Sequence, residues 1–134
     1  MKFMNKEHRN FYIEKMSKVS RPDSYNRSLI YLLSMNDDTR RHFDEIYNID
    51  RNEINIKSLK SPWQTSTSLN VCRLGFNLFN GCANDNPRYN TMSKDYSIYN
   101  LFCTSGAGYF LEAIKLKYPE YTKTQQNQIE LEND

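Results

Sequence analysis

From Ser66 to Gly81 the chain reads as one helix that is apolar over most of its circumference, and few folds can hold such an element. At 100° per residue, Ser66, Asn70, Arg73, Asn77 and Asn80 fall on one narrow polar stripe. Leu69, Val71, Cys72, Leu74, Phe76, Leu78 and Phe79 spread over the remaining arc of roughly 220°. A helix resting on a core surface needs an apolar stripe of only about 100°. This one is therefore expected to run through the middle of the domain. Pro62 holds Ser61 extended, Thr65 or Ser66 supplies the N-cap, and Gly81 fits the position just past the last turn.

The remaining pattern is helical as well. Asn5 caps a first helix with Tyr12, Ile13, Met16 and Val19 on one face, ending before Ser20-Arg21-Pro22. Pro22 can open a second helix at its first turn, and Tyr25, Leu29, Ile30, Leu32, Leu33 and Met35 predict that it is largely buried. A third helix is expected over about residues 38 to 47, with Phe43, Ile46 and Tyr47 inward and Arg40 and Arg41 outward. From Asn48 to Pro62 the spacing of Ile49, Ile54, Ile56 and Leu59 suits an irregular connector or one short strand. Cys82 to Ser93 is rich in turn formers and reads as an exposed loop, followed by a helical turn around Tyr96 to Phe102. A last helix opens near Ser105, carries Phe110, Leu111, Ala113, Ile114 and Tyr118 inward, and stops at Pro119. The fold class expected is all-α: one compact domain of about five helices over residues 1–119, with a flexible acidic tail over residues 120–134.

A chain of 134 residues can bury a core without staples. Three cysteines, Cys72, Cys82 and Cys103, show no CxxC spacing, and two isolated histidines, His8 and His42, give no zinc pattern. No metal, cofactor or disulfide framework is expected. Met1 to Lys6 lacks an apolar leader segment and no run approaches 18 apolar residues, so the chain is read as cytoplasmic with no membrane partner. Lys plus Arg number 18 against 16 acidic residues, too even a balance for a strong polyanion binder, so nucleic acid is disfavoured. Asn occurs sixteen times and Ala only three, usage that AT-rich codons produce and that points to a low-GC bacterium or a phage of one.

Arg73 with Asn70, Asn77 and Asn80 is the leading site candidate, and Trp63, Gln64, Thr65 and Ser66 stand at the entrance of the same helix. A guanidinium beside carboxamides and an aromatic ring can hold a phosphate, a carboxylate or a stacked base. The competing reading pairs Arg73 with an acid such as Glu112 or Asp95, lets the asparagines bond to loops, and makes Trp63 a core anchor. Cys103 to Gly108 could form an anion nest before the last helix, though small residues there more often serve close packing. A nucleophilic Cys103 needs a base, and both histidines lie in the amino-terminal half. No catalytic residue is assigned. Asp37-Asp38 and Asp44-Glu45 read as capping and solvated charges, and Arg40-Arg41 as a solvated face.

Glu7-His8-Arg9-Asn10-Phe11-Tyr12, Asp23-Ser24-Tyr25, Asp38-Thr39-Arg40, Trp63-Gln64-Thr65-Ser66, Val71-Cys72-Arg73-Leu74, Phe76-Asn77-Leu78 and Asn80-Gly81 follow one another in a distinctive order. Tyr99-Asn100-Leu101-Phe102-Cys103, Tyr109-Phe110, Glu112-Ala113-Ile114-Lys115-Leu116 and Tyr118-Pro119-Glu120-Tyr121 continue it. Over about residues 3 to 121 this resembles a family of small uncharacterised proteins of clostridia and related Firmicutes, frequent in prophage and plasmid regions. The resemblance implies origin and single-domain extent, and no activity. The functional expectation is a non-enzymatic accessory protein of a phage or mobile element that binds and modulates a host protein, with a component of antiviral defence as the candidate target. The alternative is capture of a nucleotide or other small anion at Arg73.

Overall fold

The computed structural model of the chain describes residues 1–123. Asn5 starts α1 (Lys6–Met16) by accepting the His8 N–H at 2.9 Å. The inward face of α1 is His8 and Tyr12 with half-buried Phe11 and Met16, whereas Ile13 is 48% exposed. Ile13 was expected inside. It sits one residue, or 100°, beyond Tyr12, and His8 takes the place on the inner face. A buried imidazole is tolerable there because Nε2 donates to Tyr31 O at 2.9 Å and Nδ1 accepts from Met4 N–H at 3.1 Å.

Asp23 caps α2 (Ser24–Leu33) by accepting the Asn26 N–H, so Pro22 lies outside the helix and does not open it. Five consecutive residues of α2, Leu29 to Leu33, are fully buried. Five residues take four steps of 100°, more than one full circuit, so the second half of α2 is enclosed on all sides. It packs on α1, on α5 (Ser66–Asn80) and on α7 (Phe110–Lys117). The most enclosed helix is thus α2, and not the Ser66 to Gly81 segment, where Asn70, Arg73, Asn77, Leu69 and Phe79 stay only half-buried and Ser66 and Asn80 are exposed. Tyr25 on the first turn of α2 is 48% exposed, against the expectation that it faces in.

The single helix expected over residues 38 to 47 is two, α3 (Asp37–Arg41) and α4 (Phe43–Ile46), broken at His42, whose φ of −110° and ψ of 23° leave the helical region. Phe43, Ile46 and Tyr47 are buried as the pattern required. Arg40 does not point outward. Its guanidinium donates to Ser34 O at 2.7 Å and pairs with Asp37, closing the end of α2. Two short antiparallel strands follow, β1 (Tyr47–Asn48) and β2 (Glu53–Ile54), with Tyr47 opposite Ile54 and Asn48 opposite Glu53. Asn52 makes the tight turn with φ of 57°, and the buried Tyr47 hydroxyl is bonded to Asn26 Oδ1 at 2.6 Å. A 3-10 turn, Ile56–Lys60, leads on to Trp63.

α5 begins with a reciprocal cap, in which Thr65 Oγ1 accepts the Ser68 N–H and Ser68 Oγ accepts the Thr65 N–H. It ends at Gly81 in the left-handed region with φ of 79°. After the 82–93 loop come a 3-10 turn (Lys94–Tyr96), α6 (Ile98–Leu101) and a second 3-10 turn (Ala107–Tyr109) that runs into α7. Leu111 and Tyr118, expected inside, are 56% and 38% exposed. Only Phe110 and Ala113 of α7 are fully enclosed. Pro119 ends α7 and also opens α8 (Pro119–Thr122), where a residue without an N–H costs nothing. Residues 120–122, assigned to the tail, belong to this turn, and residues 124–134 lie outside those described. Among the described residues the domain is mostly helical, with eight α-helices where about five were expected, since the helix expected over 38–47 is two, the turn around Tyr96 to Phe102 holds α6, and Pro119 opens α8.

Candidate functional site

The polar stripe of α5 faces the loop that follows it. Arg73 reaches across to Asp85 in a two-pronged pair, Nε to Oδ1 at 3.2 Å and Nη2 to Oδ2 at 2.7 Å, with Asp95 at 3.8 Å from the same nitrogen. The Tyr96 hydroxyl, itself buried, donates to Asp85 Oδ1 at 2.8 Å and lies 3.6 Å from Cys82 Sγ. Asn77 Nδ2 donates to Cys82 O at 3.0 Å, and Asn80 Oδ1 accepts the Cys82 N–H at 3.0 Å. The Arg73, Asn77 and Asn80 contacts join α5 to the loop and to Asp95 in the 3-10 turn at its far end, and Tyr96 ties that turn back to the loop.

Electrostatics follow from that enclosure. Burial alone raises the pKa of Asp85, and the hydrogen bonds from Arg73 and Tyr96 together with the guanidinium charge carry it below the usual carboxylate value. Burial would weaken the hold of Arg73 on its proton, and Asp85 and Asp95 reverse that. The Tyr96 phenol is pushed far up by burial, by its bonds to Cys82 and Asp85 and by the negative charge beside it. Arg73 is therefore a cation whose fork is filled. A phosphate or carboxylate gripping its Nε–Nη2 edge has to displace Asp85.

The entrance residues do different work. Trp63 stacks on His42, with ring centroids 4.3 Å apart and planes within 6°, and its indole N–H donates to a Glu45 carboxylate oxygen. Trp63 is half-buried, on the rim of the core. Gln64 points inward, donating to Ser58 O at 3.2 Å and accepting from Ser68 Oγ at 2.6 Å. Thr65 is the cap and Ser66 the exposed first residue of the helix. The structure brings Arg73, Asn77 and Asn80 together around the loop and keeps Trp63 apart, in a stack with His42 and Glu45.

Sequence reasoning named Asp95 and Glu112 as acids for Arg73, but the principal partner is Asp85, while Glu112 accepts the Lys2 N–H. Asp85, Cys82 and Tyr96 carried no periodic signal, because their role exists only once the loop folds over α5. The Cys103 to Gly108 stretch is a bend and a 3-10 turn, and a methyl group at Gly106 would stand 3.2 Å from Met35 Cε, so close packing accounts for the small residue. His8 has both ring nitrogens engaged and His42 is stacked on Trp63. Among the described residues no group of three or more His, Cys, Asp or Glu is placed to hold a metal ion, and no helix is long and apolar enough to cross a membrane.

Beyond the anchor, the loop and α6 turn large apolar side chains to solvent. Tyr89 and Met92 are each 62% exposed, Ile98 76% and Tyr99 85%. No curated protein and no solved structure matches the chain. Over residues 1–130 the chain matches the family of unknown function DUF6075, and it belongs to that family.

Proposed function

We propose that this protein acts by binding another protein, and that the loop from Asn86 through α6 is its contact surface. The observation that carries the reading is the contrast within one segment. Asp85 is tied to Arg73 and Tyr96 to Asp85, while Tyr89, Met92, Ile98 and Tyr99 stand out in water. Aromatic residues and methionine are enriched where proteins meet, and a pre-ordered loop spends less entropy on association. The resemblance to prophage and plasmid proteins, with the Asn-rich and Ala-poor composition, supports a mobile-element accessory role in which a host factor is bound and modulated. A component of antiviral defence is the target class we favour. Catalysis plays no part in this reading. Nucleotide capture at Arg73 is the weaker reading, because Asp85 already fills the guanidinium fork.

The test is capture of host proteins on immobilised wild-type protein and on the double variant Ile98→Asp, Tyr99→Asp. These side chains are exposed, so the variant is expected to fold and to lose the captured partner. A partner retained equally by both would refute the assignment of this surface. For the weaker reading, a nucleotide at 100 times its Kd stabilises by about 2.7 kcal/mol, a shift that thermal melting resolves.

A further inference from the structure

A groove of about 500 Å³ separates β2 and the turn after it from the 80–91 segment, a volume within the ~300–1,000 Å³ range of ligand sites. Ile54 and Ile56 line one side, and Asn80, Ala83, Tyr89 and Asn90 line the other. Among the described residues no Lys, Arg, Asp or Glu borders it. An ion would gain no opposite charge in the groove and would lose water on entering.

The strand register says what kind of uncharged molecule fits. Asn55 N–H donates to Ile46 O at 2.8 Å, one half of a hydrogen-bonded pair at the end of the antiparallel ladder, the Ile46 N–H going to His42 O instead. Such pairs alternate, which makes Tyr47 and Ile54 the intervening pair. Ile54 therefore turns its N–H and C=O away from β1, toward the free edge of β2. The same residue borders the groove. A free main-chain donor and acceptor on a strand edge are matched by another extended backbone, about 4.8 Å away. Aliphatic walls at Ile54, Ile56 and Ala83 accept apolar side chains from alternate positions of such a strand, and the Asn90 carboxamide can meet its peptide groups.

We propose that this groove binds an extended, uncharged peptide segment of a partner protein by adding it as a third strand beside β2. The proposal deepens the protein-binding reading above and rests on it, since the loop wall of the groove carries Tyr89 of the proposed contact surface.

The test is selection of a displayed random 12-residue peptide library on the full 134-residue chain, followed by titration of synthetic hits. Hits are expected to share an uncharged stretch with aliphatic residues at alternate positions. They are expected to bind Ala83→Arg, which pushes a long cation into the groove, at least tenfold more weakly. Ile54→Pro deletes the outward N–H without touching a ladder bond and is expected to lose as much, while Ile54→Val keeps affinity within twofold. Should Ile54→Pro fail to fold, Ala83→Arg with Ile54→Val decides. The proposal is overturned if no peptide is enriched, if the hits are charged, or if Ala83→Arg binds them as wild type does. Folded Ile54→Pro binding as wild type also overturns strand addition. A natural partner lost by Ile98→Asp, Tyr99→Asp but held by Ala83→Arg sinks the groove and leaves the broader reading standing.

Discussion

Gly75 sets α5 against Leu29 and Leu32 of α2, and replacing it tests the packing directly. A methyl group at this position would lie 3.0 Å from Leu29 Cδ1 and 3.8 Å from Leu32 Cδ1. Both leucines are fully buried, so Leu29 can yield only by pressing on other core atoms. In a helix interior, Gly→Ala gains about 1 kcal/mol, whereas overpacking costs about 1–3 kcal/mol. Taking about 2 kcal/mol for the clash, Gly75→Ala is expected to destabilise by about 1 kcal/mol, or about 4 °C in Tm. Leu29→Ala alone is expected to cost about 2–5 kcal/mol. On that background the clash is gone, and Gly75→Ala becomes stabilising by about 1 kcal/mol. The coupling energy is then about 2 kcal/mol, read from urea denaturation of the four proteins in a double-mutant cycle. If Gly75→Ala stabilises both backgrounds alike, the two helices do not meet here and the packing described is wrong.

Other consequences follow from charged and buried groups. The Arg73 side chain is 15% exposed and Asp85 30%, between the surface and buried cases, so Arg73→Ala or Asp85→Ala is expected to cost about 2 kcal/mol at pH 7, with a coupling of about 1–2 kcal/mol in denaturant titrations. Because the folded Asp85 carboxyl has a lowered pKa, its contribution is complete above the unfolded value near pH 4 and fades as pH falls through the folded one. The penalty of Asp85→Asn accordingly shrinks below about pH 4. His8 is held down to about 4 by burial, opposed by its bond to Tyr31 and assisted by the Arg40 charge. The unfolded chain takes up that proton near pH 6.5, so about 2–3 kcal/mol of stability drains away between pH 6.5 and 4, and His8→Gln should flatten that slope. Cys72 is enclosed and burial pushes its thiol up to about 12, whereas Cys103 is exposed, so a thiol reagent at pH 8 labels Cys103 first and Cys72 only on unfolding.

Local chemistry was the most legible part of the sequence. Asn5, Thr65 and Gly81 act as the caps their side chains and backbone freedom suggest. The apolar pattern also identified Leu29, Ile30, Leu32 and Leu33 as core. It misplaced the centre, because an apolar arc counts how many sides of a helix are covered and not how completely each neighbour closes over it. α5 is covered along its polar seam only by the chain's own loop, whereas the second half of α2 is buried on every side. Elements of four residues, such as α4 and α6, are too short to show a period, and the two-residue strands rest on a turn made by Asn52. The site followed the same division. Arg73 and its asparagines stood out as a polar stripe, yet what they bind is the chain's own loop, and Asp85 is twelve residues away with nothing local to mark it.

The account turns on the seam of α5 holding the 82–96 segment in place as a prepared surface. Backbone 15N relaxation tests this most directly. In the wild-type protein the amides from Asn84 to Tyr96 are expected to show order parameters near those of rigid backbone, about 0.85, and in Asp85→Ala to fall below about 0.6 while α2 stays unchanged. A loop that is already loose in the wild type, or one that remains rigid after Asp85 is removed, would contradict it.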